Sequence, residues 1–130
     1  MTTVGRLVLL VDDDADIRAA LTDFLRDEGF VVHTARNGRE ALKWLRDNGD
    51  QPNVVLLDLM MPVMDGRAFL DARESDPQLS AIPVVVVSAD PRRTDLASGH
   101  PRCVVLAKPV VPERLLQAID VLSESVNVRS

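Results

Sequence analysis

The chain has 130 residues, of which 46% are hydrophobic and 27% charged, and its formal net charge is −5 at pH 7. That length suits one domain with one core, no apolar stretch approaches the roughly 20 residues of a membrane span, and the single Cys103 excludes an internal disulfide or a cysteine-based metal site. The acidic balance, with no basic cluster beyond Arg92-Arg93, argues against direct nucleic-acid binding. The N-terminal residues lack the basic and apolar segments of a signal peptide, which predicts a cytoplasmic location without membrane contact.

Strand and helix patterns alternate along the chain, with short connections. The sequence predicts five strands, at residues 7–11, 30–34, 54–57, 83–87 and 104–106. It predicts five helices, at about residues 15–28, 38–48, 65–76, 90–97 and 112–122. Four of the strands are unbroken apolar runs, which are typical of strands buried on both faces of a parallel sheet. We therefore expect an α/β fold with a doubly wound five-stranded parallel sheet in the strand order 2-1-3-4-5.

Local signals mark the ends of the first helix and the limits of the domain. Asp13 or Asp14 can cap the start of this helix, and Gly29 suits the left-handed residue that follows its end. We expect residues 1–124 to form one domain and residues 125–130 to form a frayed C-terminal tail.

The four apolar runs each end in a residue type that phosphoryl chemistry uses. The first run is followed by Asp12 and Asp13, and the later ones by Asp58, Ser88 and Lys108. In a parallel sheet the carboxyl ends of the strands lie on one edge, where ligands bind. A helix cap or a turn would explain any one of these aspartates alone. Three together resist full ionisation unless a cation joins them, and oxygen ligands at an open edge suit Mg²⁺ or Mn²⁺ rather than Zn²⁺.

These residues form part of a longer pattern that resembles the receiver domain of two-component response regulators, the CheY-like family, over about residues 6–122. The matching segments follow one another in family order and at near-family spacing: Val11-Asp12-Asp13, Asp58, Met61-Pro62-Val63-Met64-Asp65-Gly66, Ser88-Ala89 and Lys108-Pro109. The resemblance implies the flavodoxin-like receiver fold with five helices. It also implies a signalling switch that catalyses its own phosphorylation and dephosphorylation, rather than an enzyme with a separate substrate.

The resemblance implies roles in phosphoryl transfer for three of these residues. Asp58 would be the nucleophile that accepts a phosphoryl group from the phosphohistidine of a histidine kinase or phosphotransfer protein. Lys108 would pair with one phosphoryl oxygen, and Ser88 would donate a hydrogen bond to another. Lys108-Pro109 resembles the family's cis peptide bond. Phosphorylation would then change the conformation of the domain and so regulate a downstream protein, whose identity the sequence leaves open.

The same resemblance implies a Mg²⁺ site. Asp13, Asp58 and the backbone carbonyl of Met60 would bind the ion directly, and Asp12 would act through a bound water. The ion and Lys108 would stabilise the negative charge that the transferred group spreads over its oxygens. Mn²⁺ could replace Mg²⁺ in such an oxygen-ligand site.

The chain departs from the family pattern in the segment between Ser88 and Lys108. Val105 stands three residues before the lysine, where the family often has an aromatic, and the segment between Ser88 and Lys108 is short. Both features bear on the face through which the family contacts partners; we expect a monomer or a weak homodimer.

Two other functions remain alternatives. An aspartyl-phosphate phosphatase would need a second aspartate at the position of Met60. A binding module that no longer cycles phosphate would not need Asp58 together with its hydroxyl and lysine partners.

Overall fold

The computed structural model describes residues 6–47, 51–58, 66–89 and 102–128. Its five strands are β1 (Leu7–Val11), β2 (Val31–Ala35), β3 (Val54–Asp58), β4 (Val84–Ser88) and β5 (Cys103–Ala107). The helices within these residues are α1 (Ala15–Asp27), α2 (Gly38–Asp47), α3 (Gly66–Ser75) and α4 (Pro112–Val128). The helix predicted near residues 90–97 lies outside the described residues. No helix in the described segments is both long and apolar enough to cross a bilayer.

All five strands are parallel and lie in the order β2-β1-β3-β4-β5, which confirms the predicted sheet. Val11 of β1 pairs with Leu57 of β3. The next position along each strand is therefore occupied by Asp12 and Asp58, side by side at the carboxyl edge. On the other side of β3, Asp58 pairs with Val87, which precedes Ser88. The register thus brings the predicted polar residues to one place.

Two apolar layers enclose the sheet. Successive β1 residues alternate between them: Leu9 and Val11 belong to the layer that contains residues of α2 and α3, whereas Val8 and Leu10 belong to the layer that contains residues of α1 and α4. All residues of β3 and β4 are buried, as expected for strands covered on both faces. The edge strand β5 is only partly buried.

The register of β3 against β1 is held at the amino edge of the sheet, opposite the acids. The backbone N–H of Asn53 donates to the carbonyl oxygen of Leu7 at 2.8 Å. The Oδ1 atom of Asn53 accepts a hydrogen bond from the Leu7 N–H, also at 2.8 Å. Because β3 is apolar on both faces, hydrophobic alternation does not select its register. The paired polar contacts of Asn53 provide a constraint that the apolar residues lack.

The ends of α1 follow the predicted chemistry. Asp14 is the N-cap, and its Oδ1 atom accepts hydrogen bonds from the N–H groups of Asp16 and Ile17 at 2.9 and 3.1 Å. The cap is therefore Asp14 rather than Asp13. Gly29, after the helix, has a φ of 97°, the left-handed conformation that glycine adopts without steric cost.

The last helix is longer than the sequence pattern indicated. Helix α4 continues to Val128, beyond the predicted end near residue 122. No glycine or proline interrupts this stretch. Each residue added to an existing helix gains one backbone hydrogen bond, so the helix can continue past its predicted end.

Candidate functional site

The carboxyl ends of β1 and β3 bring three carboxylates together. Oxygen atoms of Asp12, Asp13 and Asp58 lie within 4.8 Å of one another. Asp12 and Asp58 are only 5% and 6% exposed, whereas Asp13 is exposed to solvent. The cluster thus has two carboxylates set into the edge of the sheet and one that faces solvent. Ser88, only 2% exposed, ends β4 next to this position.

Hydrogen bonds fix the turn that carries Asp12. Its N–H donates to the carbonyl of Ala35 at 3.1 Å, and its carbonyl accepts from Nη1 of Arg18 at 2.8 Å. Its Oδ1 atom accepts from the N–H of Asp14 at 2.9 Å. The backbone of Asp12 is therefore held by β2 on one side and by α1 on the other. Arg18 was not predicted to belong to the site. Its one indication in the sequence is a basic residue early in a helix that follows an acidic turn.

The surroundings of Asp12 disfavour its ionised form. Burial is the largest cause and raises the pKa of the Asp12 carboxyl, and the negative charges of Asp58 and Asp13 raise it further. The hydrogen bond from the Asp14 N–H and the positive charge of Lys108 act in the opposite direction, but the net pKa is above the ordinary value. The acid cluster therefore carries an unfavourable concentration of negative charge that a cation would relieve.

Lys108 reaches this cluster from the end of β5. Its Nζ atom lies 2.9 Å from Oδ1 of Asp58. The backbone N–H of Lys108 donates to the carbonyl of Ser88 at 2.8 Å, which ties the ends of β5 and β4 together. The Lys108–Pro109 peptide bond is cis, as the resemblance implied. The ammonium group of Lys108 thus contacts one carboxylate of the cluster. The buried Ser88 lies at the end of the neighbouring strand.

The donor set fits a hard divalent cation. Three carboxylates converge, one of them open to solvent, and the pKa of Asp12 is raised by burial first and by the neighbouring carboxylates second. Oxygen ligands of this kind suit Mg²⁺ or Mn²⁺, which retain several bound waters. The further ligand implied by the resemblance, the carbonyl of Met60, lies outside the described residues.

A groove runs beside the cluster, between α1 and the residues that follow β5. Its volume is about 500 Å³. We call it the α1 groove. Its lining includes Ile17, Ala20 and Leu21 of α1, Pro109 and Val110 after β5, and the polar residues Asp12, Asp58 and Lys108. The sequence reasoning did not find this groove, because its shape depends on the distance between a helix and a loop that are far apart in the chain.

Two other features lie outside the cluster. Val105, the departure from the family pattern, is half-buried and packs against the layer that contains residues of α2 and α3. His33 of β2 stacks on Trp44 of α2, with ring centroids 4.4 Å apart and an interplanar angle of 16°. We assign no chemical role to this aromatic pair.

Comparisons with known proteins agree on one family. The family model described as the response regulator receiver domain matches residues 8–120. The transcriptional regulatory protein PrrA of Mycobacterium tuberculosis is 39% identical over 120 residues, which cover 88% of this chain and 48% of PrrA. Protein PilH of Pseudomonas aeruginosa is 34% identical over 115 residues, which cover 87% of this chain and 93% of PilH. The chain therefore spans about half the length of PrrA but most of the length of PilH.

Solved structures give the same result. The chemotaxis protein CheY4 of Vibrio cholerae superimposes with a TM-score of 0.81 and 30% identity, over 92% of this chain and 99% of that chain. The signal receiver domain of a histidine kinase from Syntrophus aciditrophicus superimposes with a TM-score of 0.83 and 27% identity, over 94% of this chain and 92% of that chain.

Proposed function

Because the chain belongs to the family of response regulator receiver domains, we propose that it is a phosphoacceptor switch of a two-component phosphorelay. In this proposal Asp58 accepts a phosphoryl group from the phosphohistidine of a histidine kinase or phosphotransfer protein. The modified domain then changes conformation and regulates a downstream protein. The chain acts as a signalling switch, as a monomer or a weak homodimer, rather than as an enzyme that turns over a separate substrate.

The observation that carries the proposal is the environment of Asp58. Its carboxylate is almost buried, lies within a cluster of acids and has the Lys108 ammonium at 2.9 Å. An oxygen of Asp58 attacks the phosphorus, the bond between phosphorus and the histidine nitrogen breaks, and the imidazole leaves. Positioning and electrostatic stabilisation account for most of the catalysis of such transfers. Lys108 can exchange its contact with Asp58 for one with a phosphoryl oxygen, and the Ser88 hydroxyl can donate to another.

The acid cluster supports a role for Mg²⁺. Asp13 and Asp58 would hold the ion directly and Asp12 through a water, together with the carbonyl of Met60. When bound, Mg²⁺ supplies the positive charge that offsets both the cluster and the phosphoryl oxygens. Arg18 keeps the backbone of Asp12 in place, so the acids are positioned before any ligand arrives.

Incubation with acetyl phosphate and Mg²⁺ tests the proposal. Intact-mass spectrometry should show one added phosphoryl group, and Asp58→Asn should abolish the addition. Asp47→Asn is the matched control, because Asp47 is an exposed aspartate of α2 that pairs with Lys43. Full phosphorylation of Asp58→Asn would show that the acceptor is another residue. Phosphotransfer from a panel of purified histidine kinases would then identify the partner.

A further inference from the structure

The outer edge of β2 presents backbone groups that can pair with a further strand. The N–H of Val31 donates at 2.8 Å to the residue that precedes β1, and the carbonyl of Ala35 accepts at 3.1 Å from the residue that follows β1. These alternate residues therefore face β1, and the N–H and C=O groups of Val32 and Thr34 point away from the sheet. Among the described residues, β2 pairs with β1 alone.

The residues of β2 do little to keep another strand away from this edge. The strand contains no aspartate, glutamate, lysine, arginine or proline, which are the residues that usually prevent edge strands from pairing. Val31 is 54% exposed and His33 is exposed, so α2 leaves the outer part of β2 uncovered. The ring of His33 stacks on Trp44 of α2. A partner strand would therefore meet an apolar and aromatic surface beside the outward-facing backbone groups.

We propose that the outer edge of β2 is the interface for a second copy of this chain, which adds its own β2 in the antiparallel direction and joins the two five-stranded sheets into one. The two copies are related by a two-fold axis that passes beside His33. Val32 of each copy then lies opposite Thr34 of the other, and each such pair exchanges two backbone hydrogen bonds. The interface uses no residue of the candidate site, so it does not depend on the proposed function.

The spacing of the outward-facing residues explains why a second copy fits. Val32 and Thr34 are placed symmetrically about His33, so the edge is complementary to itself in the antiparallel direction, as a two-fold interface requires. The two His33 side chains meet at a non-hydrogen-bonded position, where side chains on neighbouring strands approach most closely. The His33–Trp44 stacks of the two copies therefore meet on one face of the joined sheet.

Charges at the two ends of β2 favour the same direction. Arg36 follows the strand, and its side chain remains 72% exposed while it pairs with Glu40. Asp27 and Glu28, which are also exposed, lie shortly before the strand. Antiparallel pairing brings the basic end of each β2 close to the acidic end of the other, whereas parallel pairing would bring like charges together.

Cysteine cross-linking tests the register. In the Cys103→Ala background, which lacks the native thiol, His33→Cys should form a disulfide between copies under mild oxidation, because the two Cα atoms at this position would be about 4.5 Å apart. Thr34→Cys is the matched control: it is the next exposed residue, but its two Cα atoms would be about 8 Å apart, beyond the reach of a disulfide. We expect about ten-fold more cross-linked dimer from His33→Cys. Equal yields from the two variants, including none from either, would overturn the proposal.

Removal of an outward-facing donor gives a second measurement. Thr34→Pro deletes an N–H that points away from β1, and an edge strand tolerates proline at such a position. Sedimentation equilibrium should show the unsubstituted chain changing from monomer to dimer as its concentration rises. Thr34→Pro should raise the dissociation constant by about ten-fold or more, because the two-fold axis removes two hydrogen bonds for one substitution. Thr34→Val, which keeps the N–H, is the control.

Circular dichroism of Thr34→Pro and Thr34→Val checks that both variants fold, and the cross-linking result stands without them. A chain that stays monomeric at every soluble concentration would overturn the second-copy interface and leave the edge to a strand of another protein. A dimer whose dissociation constant is the same in Thr34→Pro would show that the copies meet through a different surface. Either result would leave the proposed function of Asp58 unaffected.

Discussion

β3 and β5 both end at the candidate site, but the sheet surrounds them differently. Every residue of β3 is buried and Asp58 at its end is 6% exposed, whereas every residue of β5 is at least partly exposed and the Lys108 side chain beyond it is 31% exposed. The central strand holds Asp58, the proposed phosphoacceptor, in a buried position. The edge strand anchors the backbone of Lys108 through Ser88, and the lysine side chain is partly exposed while it contacts Asp58. The difference suits the proposed roles, in which the central strand holds the acceptor carboxylate and the edge strand carries the cation that would contact the phosphoryl group.

Removal of the Lys108 ammonium group should have the largest effect on the phosphorylation rate. We expect Lys108→Ala to slow phosphorylation of Asp58 by about 10²–10³-fold, because a donor aimed at developing negative charge is lost. Quenched time courses with phosphoramidate provide the measurement. Lys43→Ala, which removes an exposed lysine of α2, should leave the rate unchanged. A rate for Lys108→Ala close to that of the unsubstituted chain would mean that the edge strand contributes nothing to the chemistry.

Cys103, the first residue of β5, reports how far the edge strand is shielded from solvent. Burial raises the pKa of the Cys103 thiol to about 11, partly opposed by the positive charge of Arg73. At pH 8 we expect iodoacetamide to alkylate the folded chain about 100-fold more slowly than the chain unfolded in urea, since the thiolate fraction is lower by that factor. Because burial favours the neutral thiol, Cys103 contributes its full stabilisation below about pH 9, where the unfolded chain is also protonated. This contribution is lost as the pH rises from 9 to 11.

Two measurements check the prediction for Cys103. The alkylation rate of the folded chain should keep rising up to about pH 11, the pKa of the thiol, and a plateau near pH 9 would contradict the shielding of this residue. Cys103→Ala should lose less stability between pH 9 and pH 11 than the unsubstituted chain does, as followed by urea denaturation. The comparison of the two chains removes the contribution of the lysines, which titrate in the same range.

Matched truncations compare the two strands directly. Val55 of β3 is fully buried and Val105 of β5 is half-buried, and both contact the same apolar layer. We expect Val55→Ala to lower the free energy of unfolding by about 2–3 kcal/mol and Val105→Ala by about 1 kcal/mol. Trp44 packs against this layer, so its fluorescence during urea denaturation reports both values. Equal losses would show that the edge strand is as well packed as the centre.

The metal prediction has the smallest expected effect and concerns the acid end of the central strands. If Mg²⁺ binds with a millimolar dissociation constant, a ten-fold excess should stabilise the fold by about 1.4 kcal/mol. Asp13→Asn should raise the melting temperature in chelator, because it relieves repulsion in the cluster, and should abolish the Mg²⁺ increment. Asp23→Asn, at an exposed position of α1, is the control. An unchanged Mg²⁺ increment in Asp13→Asn would place the ion elsewhere.

The sequence predicted the features that follow from strand patterns, from the general geometry of parallel sheets and from local turn chemistry. The strand order followed from apolar runs and short connections, and the meeting of Asp12 with Asp58 followed from the parallel sheet. The left-handed Gly29 was predicted because its conformation depends on adjacent residues only.

Individual contacts and spaces that depend on how particular distant segments pack were not predicted. The bond from Arg18 to the Asp12 carbonyl requires α1 to turn back over β1. The α1 groove requires a gap between α1 and Pro109, residues that are distant in sequence. The predicted end of α4 near residue 122 was too early, because the apolar pattern stops there while the helix does not.

The contacts of Asn53 with Leu7 have a consequence for insertions and deletions. Leu7 precedes Asp12 by five positions, and Asn53 precedes Asp58 by the same number. Because the two segments have the same number of residues and are paired at Leu7 and Asn53, Asp12 and Asp58 lie side by side at the opposite edge of the sheet, about 16 Å away. A β3 strand shortened by one residue would still be apolar on both faces. The carboxylate of Asp58, however, would be displaced by one residue along the strand and would lie on the opposite face of the sheet. We therefore expect the segment between Asn53 and Asp58 to tolerate substitutions far better than insertions or deletions.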